Sequence, residues 1–514
     1  MSTQPMTTPA AVELAEQTWP DGIAVIDGQW SEPVELTWPE LADRVRRFAG
    51  ALIRLGLRHG DRVALWAPNS HHWPVAVLGI QYAGGVLVPL NTRYTVSEAA
   101  DIITRSGARV VVASGEFAGI DRLSEVLDSP IAQGRTVIGV PLASPVTCSG
   151  AIAWDDFLAS ATDDDIAAAR RRAAAVRPDD LADILFTSGT TGAPKGVLAE
   201  HRQTVAGSRA WAQNGDLGPR DRYVMVNPYF HTFGYKAGIL PCLLTGATMI
   251  PLAVYSPGEA MALVAAHGVT VFPGAPTIFQ TILDSPDRDR YDLSSLRLII
   301  TGATIVPVVL IERLQSELGV PTVLTAYGQT ETSGFITTCT SGDDALTVAN
   351  TCGRAYPGME IRLSEQGEVL ARGAMVMRGY LDDPAATAET IDADGWLHTG
   401  DVGTLDERGN LTITDRLKDM YICGGFNVYP AEVEQVLTRV PGVTEAAVIG
   451  VPDERFGEVG KAFLTRRPDA VVTADEVLAY AAEHLANFKV PRAVEFIDAF
   501  PRNASGKILK RELG

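Results

Sequence analysis

Apolar residues recur at three-to-four spacing through residues 38–55, where Leu41, Val45, Phe48, Ala49 and Leu52 share one face behind Thr37. This spacing predicts an amphipathic helix capped by that threonine. Short apolar runs bounded by turn residues follow at 62–66, 85–89 and 109–113, and they predict buried strands. Helices alternating with such strands imply βαβ units and parallel sheets. Residues 74–90 carry no charge, yet Gln81, Gly84 and Gly85 interrupt them, so they predict a buried helix, a turn and a strand, not a membrane span. Residues 130–150 are rich in Pro, Ser and Gly and read as irregular. An Ala/Arg helix over 167–175 stops at Val176-Arg177-Pro178. Near the end of the chain, 431–437 and 474–485 read as helices and 446–451 as a strand.

Composition narrows the class. Of 514 residues 46% are hydrophobic and 20% charged, which is enough apolar material for a large core and excludes a mainly disordered chain. The net charge of −19 argues against nucleic acid as the main partner, and no polybasic run marks a membrane surface. The charge is unevenly spread. Residues 416–514 hold 13 Lys and Arg against 14 Asp and Glu, whereas residues 1–415 hold 30 against 48. The expected division is a large acidic unit, 1–415, and a nearly neutral small one, 416–514. The five cysteines are scattered without CxxC spacing and read as buried residues of a reducing cytoplasm. The first twelve residues have neither a charged leader nor an apolar run, so no secretory signal is expected.

The strongest local signal is Thr187-Ser188-Gly189-Thr190-Thr191-Gly192-Ala193-Pro194-Lys195-Gly196, directly after the apolar run 182–186. Hydroxyls and glycines alternating behind a strand present side-chain and backbone donors able to wrap a polyphosphate. A Walker loop is excluded, because Gly196 follows Lys195 where Ser or Thr is required. A bland Ser/Thr/Gly turn explains four such residues, not ten in this order.

With this loop the chain resembles the adenylate-forming superfamily of acyl-CoA synthetases, coumarate ligases, luciferases and peptide-synthetase adenylation domains. Further matches run in the family's order: Tyr327-Gly328-Gln329-Thr330-Glu331, Gly395 to Asp401, residues 415–427 and Pro501 to Lys507. The resemblance implies an α/β fold. Its large N-terminal domain combines helix-covered β-sheets with a β-barrel-like part, and a small hinged α+β C-terminal domain follows. It also implies ATP, Mg²⁺ and coenzyme A as cofactors.

Site roles follow from the same resemblance. Thr187, Ser188, Gly189, Thr190, Thr191, Gly192 and Lys195 would hold the phosphates, with Tyr327, Gly328 and Thr330 also at the nucleotide. Thr187 and Glu331 would supply catalytic oxygens to Mg²⁺, which suits a hard ion that takes oxygen ligands. Gly302 and Ala303 fall where the family places adenine and the acyl pocket. Asp401 would accept from the ribose hydroxyls, and Arg416 would reach the nucleotide. Lys418 occupies the hinge, Gly424 and Gly425 would let the pantetheine arm pass, and Lys507 would act on the substrate carboxylate and α-phosphate. His231, in an aromatic loop with Phe230, Phe233 and Tyr235, reads as a gate at the acyl site. Gly234 and Gly238 are expected to leave room beside those flat walls. One departure stands out: coumarate ligases and luciferases carry a lysine near Ile422, and this chain does not.

The expected activity is ATP-dependent carboxylate:CoA ligation through acyl-AMP. Residues 227–238, 324–331 and 415–434 resemble the acyl-CoA ligases of actinobacterial steroid degradation, which implies a bicyclic hydrindane propanoate as substrate. A medium-chain or branched fatty acid, and a stand-alone module that loads a carrier protein, stay open as alternatives. Expected partners are the carboxylate, ATP and CoA, with no nucleic acid and no membrane insertion. A homodimer is compatible with the sequence, and the expected location is cytoplasmic.

Overall fold

The computed structural model describes residues 7–30, 32–147, 149–187, 194–302, 306, 308–416, 419–423, 426–453, 455–467, 470–502 and 508–513, with backbone alone at 415–416 and 426–427. Helix Trp38–Arg54 forms where the spacing predicts it. Thr37 accepts from the Glu40 amide while Glu40 reaches back to Thr37, a capping box that satisfies two end donors. Its apolar face packs on helix His72–Tyr82, every residue of which is buried.

Two large sheets flank these helices. In one, the strands Ile23–Asp27, Thr248–Pro251, Arg222–Met225, Val271–Gly274, Leu298–Gly302 and Thr322–Tyr327 lie parallel in that order, with antiparallel strands at both edges. In the other, Ile152–Ala153, Thr136–Val140, Val110–Ser114, Arg62–Trp66, Val86–Pro89 and Leu181–Thr187 run parallel, then Lys195–Glu200 and Gly379–Tyr380 complete it antiparallel. Alternation along this second sheet divides the core. Val63 and Leu65 join the cluster around Phe48 and Trp73, whereas Ala64 and Trp66 face a separate cluster with Ile102, Ile103 and Leu123. Both faces are covered, as parallel sheets require.

The run 130–150 departs from expectation. Its Thr136–Val140 segment is a strand paired on both sides, because a β-branched apolar run fits a slot in the sheet whatever turn residues flank it. The part expected to be barrel-like is a four-stranded antiparallel sheet of Met359–Leu363, Glu368–Gly373, Leu397–Leu405 and Leu411–Arg416.

Toward the C-terminus, Tyr421–Cys423, Phe426–Val428, Val443–Asp453, Gly457–Arg466 and Ala493–Phe496 form a further sheet, covered by helices Pro430–Leu437 and Ala474–His484. Its apolar residues, Val433, Leu437, Val448, Leu464 and Val477 among them, make their own cluster. Among the described residues no helix is long and apolar enough to cross a membrane.

Candidate active site

Of the residues expected to hold the phosphates, Thr187 and Lys195 are described, and they lie on neighbouring strands. Strands Leu181–Thr187 and Lys195–Glu200 pair antiparallel with Thr187 directly opposite Lys195, and the Thr187 hydroxyl donates to the Lys195 carbonyl at 3.4 Å. Ser188, Gly189, Thr190, Thr191 and Gly192 lie outside the described residues. So do Ala303, Lys418, Gly424, Gly425 and Lys507, and the side chain of Arg416. Beneath that strand pair, Asp183 meets Lys236 at 2.9 Å, both side chains 1% exposed. The Thr204 hydroxyl donates to the same carboxylate at 3.2 Å. Burial raises the Asp183 carboxyl and lowers the Lys236 ammonium, and their mutual attraction opposes both shifts.

Of the residues expected at the nucleotide, Gly302 and Tyr327 lie at the C-terminal ends of neighbouring parallel strands, where α/β sheets bind ligands. Gly302 is the last residue of its strand and not part of a turn. It lies so close to the next strand that a Cβ there would stand 2.6 Å from the Ala326 carbonyl oxygen. Tyr327 ends that next strand, and its hydroxyl donates to Asp401 Oδ2 at 2.5 Å. Burial and the neighbouring Asp401 carboxylate push the Tyr327 phenol well above its ordinary value, so it stays a donor. Gly328 and Thr330 lead into the short turn Thr330–Thr332, where Gln329 reaches the Thr399 carbonyl at 3.3 Å. Asp401 itself is on strand Leu397–Leu405, behind a buried Trp396 that Arg362 and Arg372 cover at 4.3 and 4.4 Å.

Glu331 is held twice by a segment that sequence reasoning passed over. The Met377 amide donates to its carbonyl at 2.7 Å, and the Tyr380 hydroxyl donates to its Oε1 at 2.8 Å. The Lys195 ammonium lies 5.0 Å from the centre of the Tyr380 ring. Thr187, Lys195, Glu331 and Tyr380 thus form one connected group. Among the described residues no three His, Cys, Asp or Glu side chains converge as a separate metal cluster.

The aromatic loop is clamped by another residue without a sequence signal. Asn69, 5% exposed, donates to the carbonyls of Met225 and Asn227, each at 2.9 Å, and accepts from the Tyr229 amide at 2.8 Å. His231 caps the helical turn Thr232–Gly234, its Nδ1 accepting from the Phe233 amide at 3.2 Å. That bond leaves the proton of the neutral ring on Nε2, and burial lowers the imidazole to about 4. Phe233 packs edge-on against Trp211. The remaining walls differ from expectation. Tyr235 points into the core with its hydroxyl on Gln81, because the helix beginning there turns it inward. Gly234 leaves no room, since a Cβ would stand 2.1 Å from the Pro228 carbonyl oxygen. Gly238 has only ordinary contact space, with Met225 Sδ at 3.4 Å.

Known proteins resemble this chain in sequence and fold. Residues 12–381 match the AMP-binding enzyme family, and 432–507 match the AMP-binding enzyme C-terminal domain. A 7a-methyl-1,5-dioxo-octahydro-1H-inden-4-yl propanoyl:CoA ligase of Rhodococcus jostii is 56% identical over 100% of this chain and 99% of its own. Its namesake in Mycobacterium tuberculosis is 55% identical over 99% of each chain. ATP-bound MatB from Rhodopseudomonas palustris superposes with a TM-score of 0.85 at 31% identity, over 99% of this chain and 98% of that one. The anthranilate CoA ligase AuaEII, in complex with anthranoyl-AMP, gives 0.87 at 25% identity over 99% and 96%. The chain belongs to the AMP-binding enzyme family.

Proposed function

We propose that this chain is an AMP-forming acid–thiol ligase that activates the propanoate side chain of a methylated dioxo-hydrindane and transfers it to coenzyme A. The observation that carries the substrate is the 56% identity, along the whole chain, to a ligase named for that acid. A carboxylate is a poor acyl donor to a thiol, so the acid first attacks the α-phosphate of ATP, giving acyl-AMP and pyrophosphate. The CoA thiolate then displaces AMP.

The chain's residues divide this work. Lys195 and the hydroxyls from Thr187 to Thr191 hold the phosphates. Asp401, oriented by Tyr327, accepts from the ribose, and Arg416 adds a cation at the nucleotide. Glu331 and Thr187 offer a carboxylate and a hydroxyl, the hard oxygen donors Mg²⁺ takes, and the ion when bound neutralises phosphate charge. Lys507 places an ammonium where charge develops on the transferring oxygens. Residues 416–514 turn about Lys418 between the two steps, so that Gly424 and Gly425 replace Lys507 at the site. His231, neutral at working pH, lines the acyl pocket with Phe230 and Phe233. Scattered free cysteines support a cytoplasmic location.

The test is initial-rate kinetics with the hydrindane propanoate and with octanoate at fixed ATP, Mg²⁺ and CoA. A rigid bicycle loses less freedom on binding than a flexible chain, so its kcat/KM is expected to be higher by at least roughly tenfold. Octanoate equal to or better than the bicycle overturns the steroid-derived substrate. CoA-independent transfer to a holo-carrier protein would overturn the CoA ligase activity itself.

A further inference from the structure

Tyr380 stands in none of the roles above, yet it touches two of the residues that fill them. It sits on strand Gly379–Tyr380, opposite Val197 of strand Lys195–Glu200. Its amide donates to the Thr387 hydroxyl at 2.9 Å, and its ring packs with Val197, Met377 and Ala386. At 9% exposure it has little freedom to turn. From this fixed base the hydroxyl donates to Glu331 Oε1 at 2.8 Å, while the Lys195 ammonium rests 5.0 Å from the ring centre.

Glu331, by contrast, stands on a single short turn, Thr330–Thr332, and is only half-buried. A glutamate side chain has three rotatable bonds, so its carboxylate needs a partner to settle on one rotamer. One fixed donor on one oxygen selects a rotamer and leaves the second oxygen, Oε2, for another partner. Residues that hold a metal-ligating group in place are commonly worth 10–100-fold in metal affinity. A cation over the face of the same ring is also attracted, which steadies Lys195 beside the phosphates.

We propose that Tyr380 is a positioning residue for the first half-reaction: its hydroxyl fixes the Glu331 carboxylate for the metal–nucleotide, and its ring seats Lys195. The proposal rests on the metal role assigned to Glu331 under the proposed function. A tyrosine that merely fills the core and satisfies its own hydroxyl would give the same packing but no link to metal binding.

The test measures Mn²⁺ affinity by electron paramagnetic resonance in the presence of α,β-methylene-ATP, with Glu331→Gln, Tyr380→Phe and the double variant. Tyr380→Phe keeps the ring and removes one oxygen. It is expected to weaken Mn²⁺ binding about tenfold and to raise the Mg²⁺ concentration needed for half-maximal pyrophosphate exchange in step. Thioester formation from supplied acyl-AMP should not change. The double variant should bind Mn²⁺ no more weakly than Glu331→Gln alone, because the hydroxyl acts only through that carboxylate. If Glu331→Gln weakens Mn²⁺ and Tyr380→Phe does not, the positioning role is overturned. Losses that simply add in the double variant overturn it as well. If Glu331→Gln itself leaves Mn²⁺ affinity unchanged, the metal role of Glu331 falls, and the role of Tyr380 with it.

Discussion

Tyr327 and Asp401 meet at 2.5 Å across two sheets: the phenol ends a parallel strand of the nine-stranded sheet, and the carboxylate lies on the four-stranded antiparallel one. A hydrogen bond to an ionised carboxylate contributes about 1.5–3 kcal/mol. Here it also helps to orient the Asp401 carboxylate. Tyr327→Phe should raise the KM for ATP roughly tenfold, since each 1.4 kcal/mol is a factor of ten. The KM values for carboxylate and CoA should stay near those of the parent. An unchanged KM for ATP in steady-state kinetics would mean that Asp401 is oriented by other contacts.

Asn69 offers a matching experiment on the acyl side. Its amide satisfies two carbonyls and one N–H of the segment that leads to Phe230 and His231. Removing it strands three polar groups in a buried place, and each such loss costs about 1–3 kcal/mol when water cannot enter. Asn69→Ala is expected to lower the unfolding free energy by about 2–4 kcal/mol, given partial relaxation. It should also raise the carboxylate KM while sparing that for ATP. Asn69→Asp keeps the acceptor for Tyr229 but turns a carboxylate oxygen on two buried carbonyls, so it should be at least as destabilising as Asn69→Ala. Chemical denaturation paired with KM measurements checks this. A folded Asn69→Ala variant with the parent's carboxylate KM would remove the clamp from substrate binding.

Long-period information was readable in the sequence where each residue's partner is its own neighbour in the pattern. The helix after Thr37 shows its apolar stripe, and 62–66 shows the continuous apolar run of a strand buried on both faces, although only the fold shows Val63 and Leu65 facing one cluster and Ala64 and Trp66 the other. The resemblance rests most on residues 187–196, because ten consecutive residues there carry one chemistry. Thr136–Val140 was hidden because Gly134 before it and Pro141 after it dominate a five-residue run. Asn69 and Tyr380 were hidden for another reason. Their partners lie 156 and 49 residues away along the chain, and no spacing rule joins an asparagine or a tyrosine to a carbonyl or carboxylate at such distance. Gly234 shows the same limit: a glycine invites the inference of space, whereas only the fold shows a carbonyl pressed against it.

The buried pair Asp183–Lys236 predicts an asymmetry between single and double substitution. Lys236 belongs to the π-helical segment Tyr235–Ile239, a local irregularity often found beside functional sites, and Asp183 to the strand that ends at Thr187. Lys236→Met leaves a carboxylate in a dry interior and should cost about 3–5 kcal/mol. Lys236→Met combined with Asp183→Asn removes both charges and keeps a group for the Thr204 hydroxyl, so most of the loss should return. Urea unfolding of the two variants measures this. A double variant as unstable as the single would show that the cost comes from packing and not from the stranded charge.

Acid sensitivity provides the last test, because three histidines are held neutral inside the fold. Burial lowers His201 and His231 to about 4 each and depresses His72 well below its ordinary value. The unfolded chain regains an ordinary histidine value near 6.5, so between roughly pH 6.5 and 4 it binds protons that the native state refuses. Stability is therefore full above about pH 6.5 and declines as pH falls toward 4, by up to about 1.4 kcal/mol per pH unit for each histidine. Carboxylates with lowered values add their own loss only at the acid end of this window. Glu317, for example, is held at about 2 by Arg313 and Arg288, so its contribution begins to be lost only below the ordinary glutamate value of 4.5. His201 is the cleanest probe, being 1% exposed, with Thr8 Oγ1 3.0 Å from its Nδ1 and no part in the proposed chemistry. His201→Gln retains a side chain able to meet that hydroxyl but cannot titrate. Unfolding free energies measured from pH 7 to pH 5 should fall less steeply in this variant, by about one proton's worth. Parallel curves for parent and variant would show that His201 takes up no proton on unfolding in this range.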